Sequence, residues 1–325
     1  VEALAWSLAA LAVVLAVPVP KVLHTASFRG RSPWVAMVLW QAIALAGGLS
    51  MVGAPIVYGL APLGESLPDA LCAVVNLTLA EDSAVLAEAD LRPWHIFALC
   101  AGLLLGSHLL LTLARTYFRV LGARRRHRQL VDLLSTPLSK ALDEADTQVI
   151  EHETPLAYCL PGRTNASSVT VLSRGLLNTL SKPELGAVVA HEQTHLRQRH
   201  HLLTMTFEAW YRALPWLPTN RYGREAVLEL TEMLADDGAL RYYSPETLLR
   251  SLALSSAETA SPREAPLNAG SASGDASPTP ETLITGARLQ RLLVPTEPLG
   301  ALATVSILVA SAALLGVPTV LLLLS

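Results

Sequence analysis

His191-Glu192-Gln193-Thr194-His195 closes the run Ser181-Lys182-Pro183-Glu184-Leu185-Gly186-Ala187-Val188-Val189-Ala190. Ser181 stands in a cap position and Pro183 in the first turn, two signals of a helix start. Residues i and i+4 of a helix share a face, so His191 and His195 can offer two imidazoles to one ion. Glu192, next in sequence, is close enough to exchange a proton with a water on that ion. An HExxH pentad carries the residue types that zinc-assisted hydrolysis needs, with the metal as Lewis acid and the carboxylate as general base. With nine histidines in 325 residues, chance supplies such a pentad on the order of 0.01 times per chain. Surface histidines on a solvated helix are therefore the weaker reading.

A catalytic zinc usually has three protein ligands, so a third donor must come from another segment. His200, His201, Glu208, Glu225, Glu229, Glu232, Asp236 and Asp237 are the candidates. A histidine at 200 or 201 would need the helix to break at once after His195, and no glycine follows there to permit it. Glu232 and Asp236, in Glu232-Met233-Leu234-Ala235-Asp236-Asp237, are spaced i, i+4 and share one face of a second helix. That spacing favours Glu232 as the ligand. Asp236, one turn on, is placed to accept the remaining ring N–H of a ligating histidine. Glu229 is the fallback.

Taken together, His191-Glu192-x-x-His195 and Glu232-x-x-Ala235-Asp236 resemble the paired motifs of the gluzincin membrane proteases. Within that group the chain resembles the BlaR/MecR antirepressor family more than the HtpX-type proteases. Val169-Thr170-Val171-Leu172-Ser173-Arg174-Gly175-Leu176-Leu177 is similar to that family's strand-and-turn lead-in to the active-site helix. The resemblance runs through most of the chain. It implies a zinc metalloendopeptidase in which His191, His195 and Glu232 bind Zn²⁺, Glu192 moves the proton and Asp236 orients a ligand histidine. It also implies a substrate class, a cytoplasmic transcriptional repressor or the protease's own loop, and a signal arriving from outside. Family receptors for β-lactams continue past the last span into an extracellular penicillin-binding domain, whereas this sequence ends there.

Composition points to a membrane. Hydrophobic residues make up 51% and charged residues 16%, mean hydropathy is +0.40, and the apolar residues are clumped rather than periodic. Four runs can span: Leu4 to Val19, a stretch within Pro33 to Leu60, Trp94 to Ala114, and Leu299 to Leu324, the last without a charge. The N-terminal flank holds Glu2 and no Lys or Arg, which disfavours a signal peptide. The expected fold class is a mainly α membrane protein (α+β), with four transmembrane helices and a cytoplasmic gluzincin domain between spans three and four.

Charge sets the expected orientation. Lys21, Arg29 and Arg31 lie between spans one and two. Residues 61–93 carry Glu65, Asp69, Glu81, Asp82, Glu88 and Asp90 against Arg92, and Arg115, Arg119, Arg124, Arg125, Arg126 and Arg128 follow span three. The positive-inside rule then puts both termini and the 61–93 loop outside a bacterial cytoplasmic membrane. The expected domains are 1–114 (three spans), 115–296 (cytoplasmic protease) and 297–325 (fourth span). The arginine cluster reads as a topology signal and lipid contact, and a net charge of −3 gives direct nucleic-acid binding no support.

The 115–296 stretch is long enough for one core. A helix is expected near Gln129–Glu144, followed by strands around Gln148–Glu151, Ala157–Leu160 and Ser168–Leu172. Substrate would lie as an added strand along the last of these, at Val169 and Val171. Leu202 to Leu217 reads as an amphipathic segment on the membrane surface or against the spans. Residues 255–281 read as a mobile loop, and Thr282 to Leu293 as a short helix; the antirepressor resemblance points to self-cleavage between about Ala257 and Ile284, with a passive linker nicked by other proteases as an equal alternative. Cys72, Cys100 and Cys159 fall in separate regions, which excludes a disulfide framework and thiolate ligation. His108 inside span three reads as a packing histidine before a proton relay. Two readings compete with a signalling protease: an HtpX-like quality-control protease, and a non-proteolytic subunit with a structural zinc. A homo-oligomer is compatible with all three.

Overall fold

The computed structural model of the chain describes residues 1–79, 91–137, 147–160, 162, 168–259, 286–294 and 296–324. Its helices are α1 (Glu2–Ala16), α2 (Pro18–His24), α3 (Phe28–Arg31), α4 (Pro33–Leu60), α5 (Leu67–Leu79) and α6 (Pro93–Leu134), then α7 (Arg174–Thr179) and α8 (Lys182–Arg197). α9 (His200–Ala213), α10 (Pro218–Ala239), α11 (Pro245–Thr259), α12 (Gly286–Leu293) and α13 (Ala301–Leu324) follow. Among the described residues, four strands lie between α6 and α7: β1 (Ser135–Pro137), β2 (Thr147–Ile150), β3 (Ala157–Leu160) and β4 (Val169–Ser173). The described residues form two compact units, one of 1–117, 204–227 and 298–325, the other of 118–203 and 228–297.

The first unit is helical. Glu2–His24, Pro33–Leu63, Pro93–Leu134 and Ala301–Val320 are each long and apolar enough to cross a bilayer. A chain with such helices has the make-up of a membrane protein. The first stretch bends at Val17 because Pro18 and Pro20 each lack an N–H for the helix ladder. The Thr219 hydroxyl donates to the carbonyls of Leu15 and Ala16 at that bend. α1 packs on α4 through Ala5, Leu8, Ala54 and Val57. Within this unit the segment expected to be amphipathic lies against α4, since a Cβ at Gly48 would come within 2.5 Å of the Trp210 ring. His108 on α6 bonds the Ala213 carbonyl at 3.1 Å, and Asn220 donates to the carbonyls of Trp210 and Leu214 at 3.0 Å each. His108 thus satisfies a helix-end carbonyl that has no intrahelical partner.

Three expectations change. Residues 138–144 of the helix expected near Gln129–Glu144 lie outside the described residues. Among the described residues no separate helix starts near Gln129, because α6 runs unbroken to Leu134 and Ser135 opens β1. Its arginines, leucines and glutamine are strong helix formers, so leaving the apolar stretch does not end the helix. Residues 61–93 are not merely a loop, since they include α5. Ser255 to Thr259 finish α11, while the remainder of the expected 255–281 loop, residues 260–281, lies outside the described residues. The expected helix from Thr282 begins, among the described residues, at Gly286.

The second unit holds a four-stranded sheet of order β1-β2-β4-β3. β2 and β4 are parallel, and the outer pairs are antiparallel. This corrects the expected substrate edge. β4 is buried along its whole length and is hydrogen-bonded to β2 on one side and β3 on the other, so Val169 and Val171 have no edge to offer. The all-apolar residue choice at Val169, Val171 and Leu172 suits a strand covered on both faces. β3 is last in the order, and among the described residues no strand pairs with its far side. Leu172, Leu176, Leu180, Leu185 and Val188 join β4, α7 and α8 in one cluster. Ala187, Ala239, Leu248 and Leu292 tie α8, α10, α11 and α12 together.

Candidate metal centre

α8 starts where the sequence signals it. The Glu184 carboxylate, three residues in, accepts the Ser181 main-chain N–H at 2.8 Å and its hydroxyl at 2.7 Å, and Pro183 occupies the first turn. The helix then carries His191 and His195 one above the other, with Nε2 atoms 3.2 Å apart. α10 crosses close to α8. A Cβ on Gly238 would stand 2.0 Å from Thr194 Oγ1, so only glycine permits this approach.

That approach delivers Glu232. Its Oε2 lies 3.5 Å from His191 Nε2 and its Oε1 lies 3.4 Å from His195 Nε2. Ligand atoms of the three residues all fall within 4.8 Å of one another. Two imidazole nitrogens and one carboxylate, facing each other from two helices, fit a zinc ion in donor type and spacing. Glu229, His201, Glu225 and Asp237 do not join this group among the described residues.

Asp236 sits behind His191. Its Oδ1 is 3.0 Å from Nδ1, on the side of the ring away from the Glu232 contact. Behind Asp236 stands Arg288, which the sequence did not single out. Its Nε and Nη2 hold both Asp236 oxygens at 2.5 and 2.7 Å, and its Nη1 donates to Glu232 Oε2 at 3.1 Å. Arg291, one turn on, pairs with Asp237 at 2.6 Å.

His200 also differs from expectation. The helix does break directly after α8, because Arg199 takes φ 51°, the left-handed turn that glycine more often supplies. His200 folds back, but to the far side of His195, where the two Nδ1 atoms are 2.8 Å apart. It is therefore not among the converging donors.

Charge in the cluster is tightly coupled. Burial alone would lower the pKa of His191, yet its bonds to Asp236 and Glu232 prevail and push it up to about 9. Burial, then the charge on His191, pushes His195 down to about 3. Burial raises Glu192 to about 7 against the pull of His191, while Glu232 adds to the rise and the Cys159 main-chain N–H opposes it by bonding the carboxylate. Burial opposes ionisation of Glu232 and Asp236, but His191 and Arg288 hold both below their ordinary range.

Residues 122–261 match the sequence model of Peptidase family M48, a stretch that contains both α8 and Glu232. No solved structure matches the chain. The match and the His191/His195/Glu232 cluster together support a metallopeptidase class, a family broadly of membrane zinc metalloproteases, with zinc the fitting ion.

Proposed function

We propose that this chain is a multi-pass membrane zinc metalloendopeptidase that cuts a cytoplasmic protein, most simply a transcriptional repressor, during transmembrane signalling. The observation that carries the peptidase reading is the convergence of His191 Nε2, His195 Nε2 and the Glu232 carboxylate beside Glu192. Three protein donors, among the described residues, favour a catalytic over a structural zinc, because structural sites are closed by four. His191, His195 and Glu232 would hold the zinc, which when bound would supply Lewis acidity toward the scissile carbonyl and a water molecule. Glu192, its pKa raised to about 7, would take a proton from the attacking water on its carboxylate and return it to the departing amide nitrogen. Asp236 keeps His191 oriented, and Arg288 keeps Asp236 ionised. Substrate backbone would lie along β3, whose Cys159 N–H already faces Glu192.

The signalling and repressor parts of the proposal rest on the BlaR/MecR resemblance, and the cytoplasmic placement on the arginines that follow the third apolar helix. Purified wild type should cleave an unfolded protein substrate in the presence of zinc, and Glu192→Gln should not. Comparing new protein N-termini in cells carrying either form names the substrate. A single DNA-binding protein spared in Glu192→Gln cells supports the signalling role. A broad set of spared membrane proteins supports the HtpX-like alternative, and no difference rejects proteolysis.

A further inference from the structure

The sharp turn after α8 gives the second histidine ligand its own orienting group. In His195 the Nε2 faces His191 and Glu232, and the Nδ1 faces His200 Nδ1 at 2.8 Å. Two ring nitrogens so close must share one hydrogen. The far nitrogen of His200 decides which one carries it. His200 Nε2 lies 2.9 Å from Gln198 Oε1, an oxygen that can only accept. His200 therefore carries its hydrogen on Nε2 and presents a bare Nδ1. His195 must donate from Nδ1, which leaves its Nε2 lone pair directed at the Glu232 carboxylate and His191. With Gln198 Oε1 in that place, the hydrogens of the Gln198–His200–His195 series run in one direction.

Backbone conformation makes this possible. Arg199 at φ 51° ends α8, accepting the Leu202 N–H on its carbonyl and donating its own N–H to Leu196. A non-glycine residue is disfavoured in this region, and such strain persists where the surroundings hold it. Here it turns the chain so that His200, the first residue of α9, returns to His195 five positions earlier. His200 is 2% exposed, so its side of the contact is shielded from competing water.

We propose that His200 is a positioning residue for zinc binding: held by Gln198 and by the left-handed turn at Arg199, it fixes the tautomer and ring orientation of His195, as Asp236 does for His191. The proposal rests on the zinc reading of the site and deepens it. Unlike Asp236, His200 is a neutral acceptor, so it orients the ligand without adding negative charge. The two ligating histidines are then unequal, one backed by a carboxylate and one by an imidazole.

The test is zinc affinity, measured on the full chain in detergent by competition with a chelator, alongside the melting temperature of zinc-stripped protein. An asparagine places its Oδ1 where His200 has Nδ1 and keeps the acceptor, whereas leucine keeps bulk without it. His200→Leu should lose about 10–100-fold in zinc affinity, the range for partners that orient a ligand histidine. His200→Asn should stay near wild type, and both should leave the zinc-stripped melting temperature nearly unchanged. The Co²⁺-loaded protein gives a second readout, with an altered visible absorption spectrum in His200→Leu and a wild-type one in His200→Asn. Arg199→Gly should retain zinc, and Arg199→Val, which resists a positive φ, should match His200→Leu. Equal zinc affinity in wild type and His200→Leu, or equal weakening in the leucine and asparagine variants with a lowered zinc-stripped melting temperature, would overturn the proposal. His195→Ala keeps the outcomes separate: if it too binds zinc normally, the zinc reading itself fails.

Discussion

Arg288 grips Asp236 at both carboxylate oxygens and, with its third nitrogen, reaches Glu232, so one guanidinium bridges the third metal donor and the residue behind the first. Both partners are nearly sealed from solvent, at 5% and 1% exposure. Removing one side of a buried pair leaves the other charge uncompensated, at a cost of about 3–5 kcal/mol. Arg288→Met should therefore lower the melting temperature markedly and weaken zinc binding. Adding Asp236→Asn to it should recover part of the lost stability, because the most deeply buried carboxylate is then no longer left without its cation. If the double variant is less stable than Arg288→Met, the bridge is not what holds this part of the fold.

How much of this was legible in advance follows the range of each interaction. His191 with His195, and Glu232 with Asp236, were readable because a four-residue spacing on a helix is local geometry. The start of α8 was readable from Ser181 and Pro183 for the same reason. Arg288 was not, because its partners lie 52 and 56 positions away and nothing around it marks a contact. The pair Arg288 and Arg291 on one face of a short helix, with Glu232, Asp236 and Asp237 on another, was the only available signal. Strand order also escaped, since β4 pairs with β2 and β3 across intervening chain, and a short apolar run reads alike at an edge or in the middle. Arg199 defeated a sound local rule, because tertiary contacts held a non-glycine residue in a glycine conformation.

Gly238 sets the distance between the two metal-bearing helices. Gly238→Ala puts a methyl group 2.0 Å from Thr194 Oγ1, on the residue adjoining His195. Helix propensity favours alanine by about 1 kcal/mol, but overpacking a closed contact costs about 1–3 kcal/mol. The contact should prevail, lowering the melting temperature and pulling Glu232 away from the histidines. Chelator competition would show weaker zinc binding in Gly238→Ala, restored in part by Thr194→Ala. A more stable Gly238→Ala with unchanged zinc affinity would mean that the helices are free to adjust.

Zinc must displace a proton from His191. That histidine, raised to about 9, is charged at neutral pH in the zinc-stripped protein, whereas His195, lowered to about 3, already has its lone pair available. Zinc affinity should thus climb by about tenfold per pH unit from pH 7 and flatten above about pH 9, a slope of one proton rather than two. The stability sign runs the opposite way. A folded-state value above the unfolded 6.5 stabilises the zinc-stripped fold fully below pH 6.5, and that contribution fades as pH rises through about 9. Glu192, at about 7, has largely ionised by pH 8, so the upper part of the window belongs to His191. Isothermal titration at several pH values measures the first effect and thermal melts the second. A pH-independent affinity between 7 and 9 would contradict a charged His191.

The side of the membrane occupied by the site decides which substrates it can meet. Arg115, Arg119 and Arg124 follow the apolar part of α6, while Glu65 and Asp69 sit between α4 and the end of α5. Basic residues near span ends favour the cytoplasmic side, so the proposed orientation has Glu246, at the start of α11, inside and Glu65 outside. Both positions are exposed, so a cysteine there is open to reagent on its own side. In a background with Cys72, Cys100 and Cys159 replaced by serine, Glu65→Cys should react in intact cells with a membrane-impermeant maleimide. Glu246→Cys should react only after the membrane is opened. Labelling of Glu246→Cys in intact cells would place the metal centre outside, and a cytoplasmic repressor could then no longer be its substrate.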